Sequence, residues 1–150
     1  MSKAEKILSH SVEETLTFAR KFARRLKPGD VVALTGNLGS GKTTFIKGLA
    51  AGLGLRDAHR VKSPTFVLMH VYPSKIPLYH FDLYRLETEK EITATGLEEF
   101  VHDPRAITCV EWAEKAGPLL PPSAYRIRLE IVGENERRFT LDGKRRKRGV

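Results

Sequence analysis

The sequence has one cysteine, Cys109, one tryptophan, Trp112, and two methionines in 150 residues. A single thiol excludes an internal disulfide framework and a cysteine-rich zinc site. The five histidines, His10, His59, His70, His80 and His102, are scattered, and no H-x-x-x-H pair sets two ligands on one helix face. No apolar run approaches the roughly 18 residues that a membrane helix needs, and the opening Met1-Ser-Lys-Ala-Glu-Lys lacks a signal-peptide profile. There is no internal repeat, and the only compositionally biased segment is 144–148. These absences predict a soluble, cytoplasmic chain without a membrane partner.

Hydrophobic residues make up 41% of the chain and charged residues 29%, enough for a core and too apolar for a disordered segment. The length suits one domain. The net charge of +8 comes from 26 basic and 18 acidic residues. Seven of the basic residues and only one acid, Asp142, fall in 137–150, so the remainder is nearly neutral and the basicity is concentrated in a tail. The expected organisation is a domain over 1–143 followed by a basic, disordered tail over 144–150.

Val12, Leu16, Ala19, Phe22, Ala23 and Leu26 recur at helical spacing. Ser11 precedes them and Glu14 follows three residues later, a capping-box pattern. Pro28-Gly29-Asp30 ends that helix, and Val31–Leu34 is a continuous apolar run of the kind found in buried parallel strands. A second helix is predicted from Lys42 to about Leu53, closed by Gly52 and Gly54. Phe66–Tyr72 and Leu78–Leu83 predict an antiparallel pair, Glu87–Val101 a helix broken near Gly96, and Ala106–Val110 another buried strand. Pro118–Pro122 reads as a rigid connector, and Tyr125–Val132 with Arg137–Leu141 as a hairpin.

Between the first buried strand and the second helix lies Gly36-Asn37-Leu38-Gly39-Ser40-Gly41-Lys42-Thr43, a complete G-x-x-x-x-G-K-[ST] loop. Such a loop turns backbone N–H groups inward onto phosphate oxygens, and the following helix adds its positive end. Lys42 is placed to reach the β- and γ-phosphates and Thr43 to hold Mg²⁺, with Thr44 next in the helix. The site also needs a carboxylate at the end of a neighbouring buried strand. Two residues qualify: Glu111 after Ala106–Val110, and Asp82 in His80-Phe81-Asp82. Ser63-Pro64-Thr65-Phe66 is either a strand-entry turn or a switch whose Ser63 or Thr65 hydroxyl senses the γ-phosphate. The sequence therefore defines an α/β protein, a single P-loop NTPase domain with a mixed parallel and antiparallel central sheet flanked by helices.

The order Gly36–Thr43, Ser63-Pro-Thr-Phe66, Leu78-Tyr-His-Phe-Asp-Leu-Tyr-Arg85 and Glu111-Trp112 strongly resembles the bacterial TsaE family, the tRNA threonylcarbamoyladenosine biosynthesis ATPases formerly called YjeE. The resemblance spans roughly residues 11–132. It implies a small P-loop domain that binds ATP with Mg²⁺ and hydrolyses it slowly. It also implies work beside the TsaD–TsaB complex, which transfers threonylcarbamoyl to the adenosine next to the tRNA anticodon. On this reading ATP is bound by Ser11 and by Gly36, Asn37, Leu38, Gly39, Ser40, Gly41, Lys42, Thr43 and Thr44. Thr43 and Glu111 would hold the metal. Asp82 would act in hydrolysis by orienting water, with Glu111 and Lys42 as the other catalytic residues. Ser63 and Thr65 would belong to the switch, and Trp112 would support Glu111. The family usually has Asp at the position of Asn37, Ala at Ser40 and Pro at Ala113, so a carboxylate beside the first loop glycine is missing here.

A P-loop kinase acting on a small acceptor is the alternative, but the chain has no arginine-rich lid and little length for an acceptor domain. A nucleotide-gated binding module overlaps the family reading. A GTPase is disfavoured because no N-K-x-D motif occurs. The tail over 144–148 either is simply solvated or contacts tRNA phosphates or an acidic partner face.

Overall fold

In the computed structural model, which describes residues 4–65 and 67–142, the strand Val31–Thr35 (β2) lies at the middle of a seven-stranded sheet. Val32 and Leu34 pack into one apolar cluster, Val31 and Ala33 into another, and all four are buried. A strand covered on both faces reads as an unbroken apolar run, which is why 31–34 stands out in the sequence.

The other strands are β1 (Glu5–Ser9), β3 (Met69–Tyr72), β4 (Leu78–Asp82), β5 (Ile107–Glu111), β6 (Tyr125–Ile131) and β7 (Arg137–Asp142). Their order across the sheet is β1-β7-β6-β2-β5-β4-β3. The central four, β6, β2, β5 and β4, are parallel, while β1, β7 and β3 add antiparallel pairs at the flanks. The mixed sheet expected from the sequence is present. In parallel α/β sheets ligands bind beyond the carboxyl ends of the strands. Here Gly36, Asp82 and Glu111 all stand at that edge, and Asp82 is opposite Glu111 in the β4–β5 register.

The helices α1 (Val12–Phe22) and α2 (Lys42–Gly52) cover the face carrying Val32, and α3 (Glu89–Ala94) and α4 (Leu97–Val101) contribute to the other. Phe45 of α2 is buried against the rings of Phe18, Phe22 and Phe139, at centroid distances of 5.8–5.9 Å. Burying one such ring stabilises by about 1.5–3 kcal/mol, so the first turns of α2 are firmly seated.

Several expectations are corrected. The first helix ends at Phe22 and continues as a single 3₁₀ turn, Ala23–Arg25, instead of running evenly to Leu26. Ser11 caps it by accepting from the Glu14 amide at 3.0 Å, but the Glu14 carboxylate turns back to the His10 amide at 2.8 Å, one residue earlier than a capping box requires. α2 ends at Gly52 as expected, with Leu53 as its cap and Gly54 following at φ 94°, but glycine has a second use in this helix. A Cβ at Gly48 would lie 2.6 Å from the Ala19 Cβ, and one at Gly52 2.6 Å from the Ala23 Cβ, so both glycines serve contact between two helix backbones.

β3 begins only at Met69, because Val67 and Leu68 both donate their amides to the Pro64 carbonyl and continue the turn; Phe66 lies outside the described residues. Part of the proline connector is wound into a 3₁₀ turn at Gly117–Leu119. The sequence reading missed β1, a mostly exposed edge strand with no apolar alternation, whose partner is β7. The tail 144–150 lies outside the described residues.

Candidate nucleotide site

The loop between β2 and α2 is shaped by its own small residues. Gly36 has φ 150°, and a Cβ there would meet the Leu129 carbonyl at 2.5 Å and the Ser40 hydroxyl at 2.6 Å, so only glycine fits. Asn37, Leu38 and Gly39 form the exposed crest, with the Ser40 amide donating to the Asn37 carbonyl at 3.0 Å. Arg137 of β7 braces the crest through a hydrogen bond from Nε to the Gly39 carbonyl at 3.2 Å. Ser40 is fully buried, and its hydroxyl is one of two buried side-chain polar atoms among the described residues with no hydrogen-bond partner. A buried unsatisfied group costs about 1–3 kcal/mol, and at this place it suits a cradle built to receive a polar ligand.

Lys42, the first residue of α2, is folded back over the loop. Its Nζ donates to the carbonyls of Gly36 at 2.5 Å and Asn37 at 3.1 Å, and it stands 4.3 Å from the centre of the Trp112 ring. Burial pushes the ammonium below the ordinary lysine range, against the pull of Glu111, Glu114 and Asp82. Desolvation disfavours the charged form, so an arriving anion would relieve the cost of holding that charge.

Thr43 points the other way. Its hydroxyl donates to both Glu111 oxygens, at 3.2 and 3.1 Å, and brings together two residues 68 positions apart. Glu111 is buried at the end of β5. A hydroxyl and a carboxylate are hard oxygen donors, and Mg²⁺ is ordinarily held by one or two carboxylates with phosphate oxygens and water completing its shell. No group of three or more His, Cys, Asp or Glu that could hold a metal exists among the described residues, so a cation here would depend on that kind of shared shell. The donor set fits a magnesium–nucleotide complex.

Asp82 is brought to the segment holding Ser63 and Thr65. Its Oδ2 accepts from the Ser63 and Thr65 hydroxyls, the latter at 2.8 Å, and its Oδ1 from the Tyr84 amide at 2.9 Å. The Ser63 and Thr65 hydroxyls are themselves 2.8 Å apart. Trp112 follows Glu111 in the chain with a left-handed φ of 58°, and its ring lies under Lys42 and 5.0 Å from the Tyr84 ring. Its contacts are thus with the loop lysine as well as with the strand end. Thr44 is half-buried in the first turn of α2. Ser11 is used by the cap of α1 and reaches the loop only indirectly: neighbouring His10 lies 3.6 Å from Glu136, which precedes Arg137.

Sequence reasoning missed His80. Its ring is buried in β4, with Nε2 2.6 Å from Glu111 Oε2 and Nδ1 3.2 Å from the Tyr72 hydroxyl. The signal was available in the strand period: Leu78, His80 and Asp82 share a face, as do Ile107, Cys109 and Glu111. A histidine on the same face as two site carboxylates, in the neighbouring strand, is placed to meet one of them.

A glycine loop on a buried strand, a lysine opening the next helix, and a threonine paired with a strand-end carboxylate define a protein of the P-loop class. The comparisons narrow this. A family model described as "Threonylcarbamoyl adenosine biosynthesis protein TsaE" matches residues 9–139. Proteins named "tRNA threonylcarbamoyladenosine biosynthesis protein TsaE" include one from Bacillus subtilis, 43% identical over 86% of this chain and 79% of its own. Another, from Aquifex aeolicus, is 35% identical over 94% of this chain and 98% of its own. A crystal structure of YdiB from Bacillus subtilis superposes with a TM-score of 0.78 at 36% identity, covering 97% of this chain and 88% of that one. The chain belongs to the TsaE family.

Proposed function

We propose that this chain binds ATP with Mg²⁺ and hydrolyses it slowly, in support of threonylcarbamoyl modification of the tRNA adenosine beside the anticodon. The observation that carries the nucleotide part is the contact between Thr43 and Glu111 at the mouth of the Gly36–Thr43 loop, 3.1 Å at its shorter limb. The names of the relatives support the tRNA-modification part.

In this reading the loop amides and Lys42 bind the phosphates. Lys42 exchanges the carbonyls of Gly36 and Asn37 for phosphate oxygens, a charge-assisted contact stronger than the neutral ones it leaves. Thr43 and Glu111 would hold Mg²⁺, which when bound neutralises charge developing on the transferred phosphoryl group. Asp82 has its carboxylate beside Ser63 and Thr65. Its proposed role is to orient the attacking water once those hydroxyls turn to the nucleotide. Trp112 and Tyr84 wall the lysine side. Residues 1–143 work as one unit in the cytoplasm with the TsaD–TsaB complex, and the basic segment 144–148 is a candidate contact for tRNA phosphates. No helix of the described residues is long and apolar enough to cross a membrane.

The test is ATP hydrolysis by the purified chain, alone and with TsaD–TsaB and tRNA, with Lys42→Ala as the blank. Slow basal turnover that rises with the partners is the expected result. Rapid turnover indifferent to them, or phosphate delivered to a small acceptor, overturns the proposal.

A further inference from the structure

The hydrogen bonds around Glu111 do not stop at His80. Glu111 Oε2 is 2.6 Å from His80 Nε2, His80 Nδ1 is 3.2 Å from the Tyr72 hydroxyl, and that hydroxyl is 3.3 Å from the Lys62 carbonyl. Lys62 is the residue before Ser63, whose hydroxyl is held by Asp82. A continuous line of polar contacts therefore joins Thr43 to the segment 62–65 by way of β5, β4 and β3. We propose that His80 and Tyr72 are positioning residues that tie the aim of the Glu111 carboxylate to the placement of the switch segment, resting on the magnesium–nucleotide reading of the site.

Each link has a reason in the chemistry of the groups. Glu111 is buried and has two oxygens. His80 binds Oε2 at the shortest distance in the line; Thr43 reaches that oxygen too, at 3.1 Å, and meets Oε1 at 3.2 Å with no second partner beside it. A carboxylate held by one oxygen keeps a fixed rotamer and presents the other, the arrangement by which partners behind a metal ligand orient it. In the tautomer whose Nε2 proton lies toward Glu111, His80 Nδ1 is an acceptor, and the tyrosine hydroxyl, with one proton, then faces two acceptors, Nδ1 at 3.2 Å and the Lys62 carbonyl at 3.3 Å. It can donate to only one of them well. A shift of Glu111 that draws His80 along changes which acceptor that proton serves, and so changes the hold on Lys62. The hydroxyl proton can serve either acceptor, and in this proposal those two alternatives are the states through which the sites couple.

Two variants of the full chain test this, each first checked for folding by its thermal unfolding curve. The readouts are nucleotide affinity with and without Mg²⁺, followed by the fluorescence of the only tryptophan, Trp112, and amide hydrogen exchange over 61–68. In the wild type Mg²⁺ should tighten ATP binding and slow exchange over 61–68. His80→Gln should lose about ten-fold or more of the Mg²⁺ enhancement while metal-free ATP binding stays within about two-fold. Tyr72→Phe, which removes one oxygen and keeps the ring, should retain the enhancement but lose the Mg²⁺-dependent slowing of exchange. A folded His80→Gln with the wild-type enhancement, or a Tyr72→Phe with wild-type Mg²⁺-dependent protection, overturns the inference and leaves the ATP reading intact. A wild type that binds no ATP, or binds it with no response to Mg²⁺ in affinity or exchange, overturns both. Should His80→Gln fail to fold, Tyr72→Phe alone decides.

Discussion

The Lys42 ammonium rests on the Trp112 indole, 4.3 Å from the ring centre, while donating to two carbonyls of its own loop. The lysine is thus folded back over its own loop rather than extended into solvent. An aromatic face and two carbonyls are weak substitutes for an anion, since charge-assisted bonds are roughly twice as strong as neutral ones.

The first prediction concerns that lysine. Lys42→Ala deletes a charge aimed at the β/γ-phosphates and should weaken ATP binding by about a hundred-fold, equivalent to about 2.7 kcal/mol. Equilibrium dialysis with labelled ATP measures it directly. Unchanged affinity would contradict the phosphate-loop assignment.

The two acids at the sheet edge should separate in their effects. Glu111→Ala removes the partner of Thr43 and should weaken the Mg²⁺ dependence of hydrolysis more than nucleotide binding. Asp82→Ala releases Ser63, Thr65 and the Tyr84 amide, and should abolish hydrolysis while ATP binding persists. Steady-state turnover across a Mg²⁺ titration, beside ATP binding isotherms, distinguishes them. A weakened Mg²⁺ response in Asp82→Ala, with Glu111→Ala losing hydrolysis but keeping the metal response, would mean the acids are assigned the wrong way round.

Gly48→Ala tests the seam between α1 and α2. The new methyl would stand 2.6 Å from the Ala19 Cβ and 2.7 Å from the Leu16 carbonyl, neither of which is a flexible side-chain end. Overpacking of this kind costs about 1–3 kcal/mol, more than the roughly 1 kcal/mol that alanine adds to helix propensity. Chemical denaturation should show a lower midpoint with an unchanged slope. A midpoint equal to or above the wild type's would show that the helices can part without cost.

Deleting residues 144–150 should leave ATP affinity unchanged. If the tail meets tRNA phosphates, deletion also flattens the salt dependence of complex formation, because fewer counterions are released on binding. An identical salt slope for full-length and shortened chains would exclude that contact.

Much of the fold was legible because burial on both faces leaves apolar runs such as 31–34, and 106–110 with Thr108 alone interrupting it, and because Gly36–Thr43 can be recognised from spacing alone. β1 was not, since an edge strand with Glu5, Lys6 and Leu8 exposed carries no alternation. Gly52 was read only as part of the helix end and Gly48 not at all, because sequence shows a missing Cβ but not what stands where it would be. In the site, Lys42, Thr43 and Glu111 were legible from chemistry at fixed positions. His80 was not, because its importance comes from the register that sets β4 beside β5, and register is not written in either strand alone. Asp82 was legible as an acid at a strand end, whereas its hold on Ser63 and Thr65 depends on a turn in which the Pro64 carbonyl takes the Val67 and Leu68 amides and the Leu68 carbonyl takes the Asp82 amide.

The glycine seam has a mechanical consequence. The Ala19 and Ala23 methyls sit at Gly48 and Gly52 like teeth in notches one helical turn apart, so sliding α2 along α1 would carry each methyl off its glycine and into a bulkier neighbour. The two helices form a keyed joint with one register. Their starting ends, the cap at Ser11 and the loop lysine at Lys42, are consequently fixed to a common frame. A shift of the loop relative to the cap at Ser11 would therefore have to break that close packing.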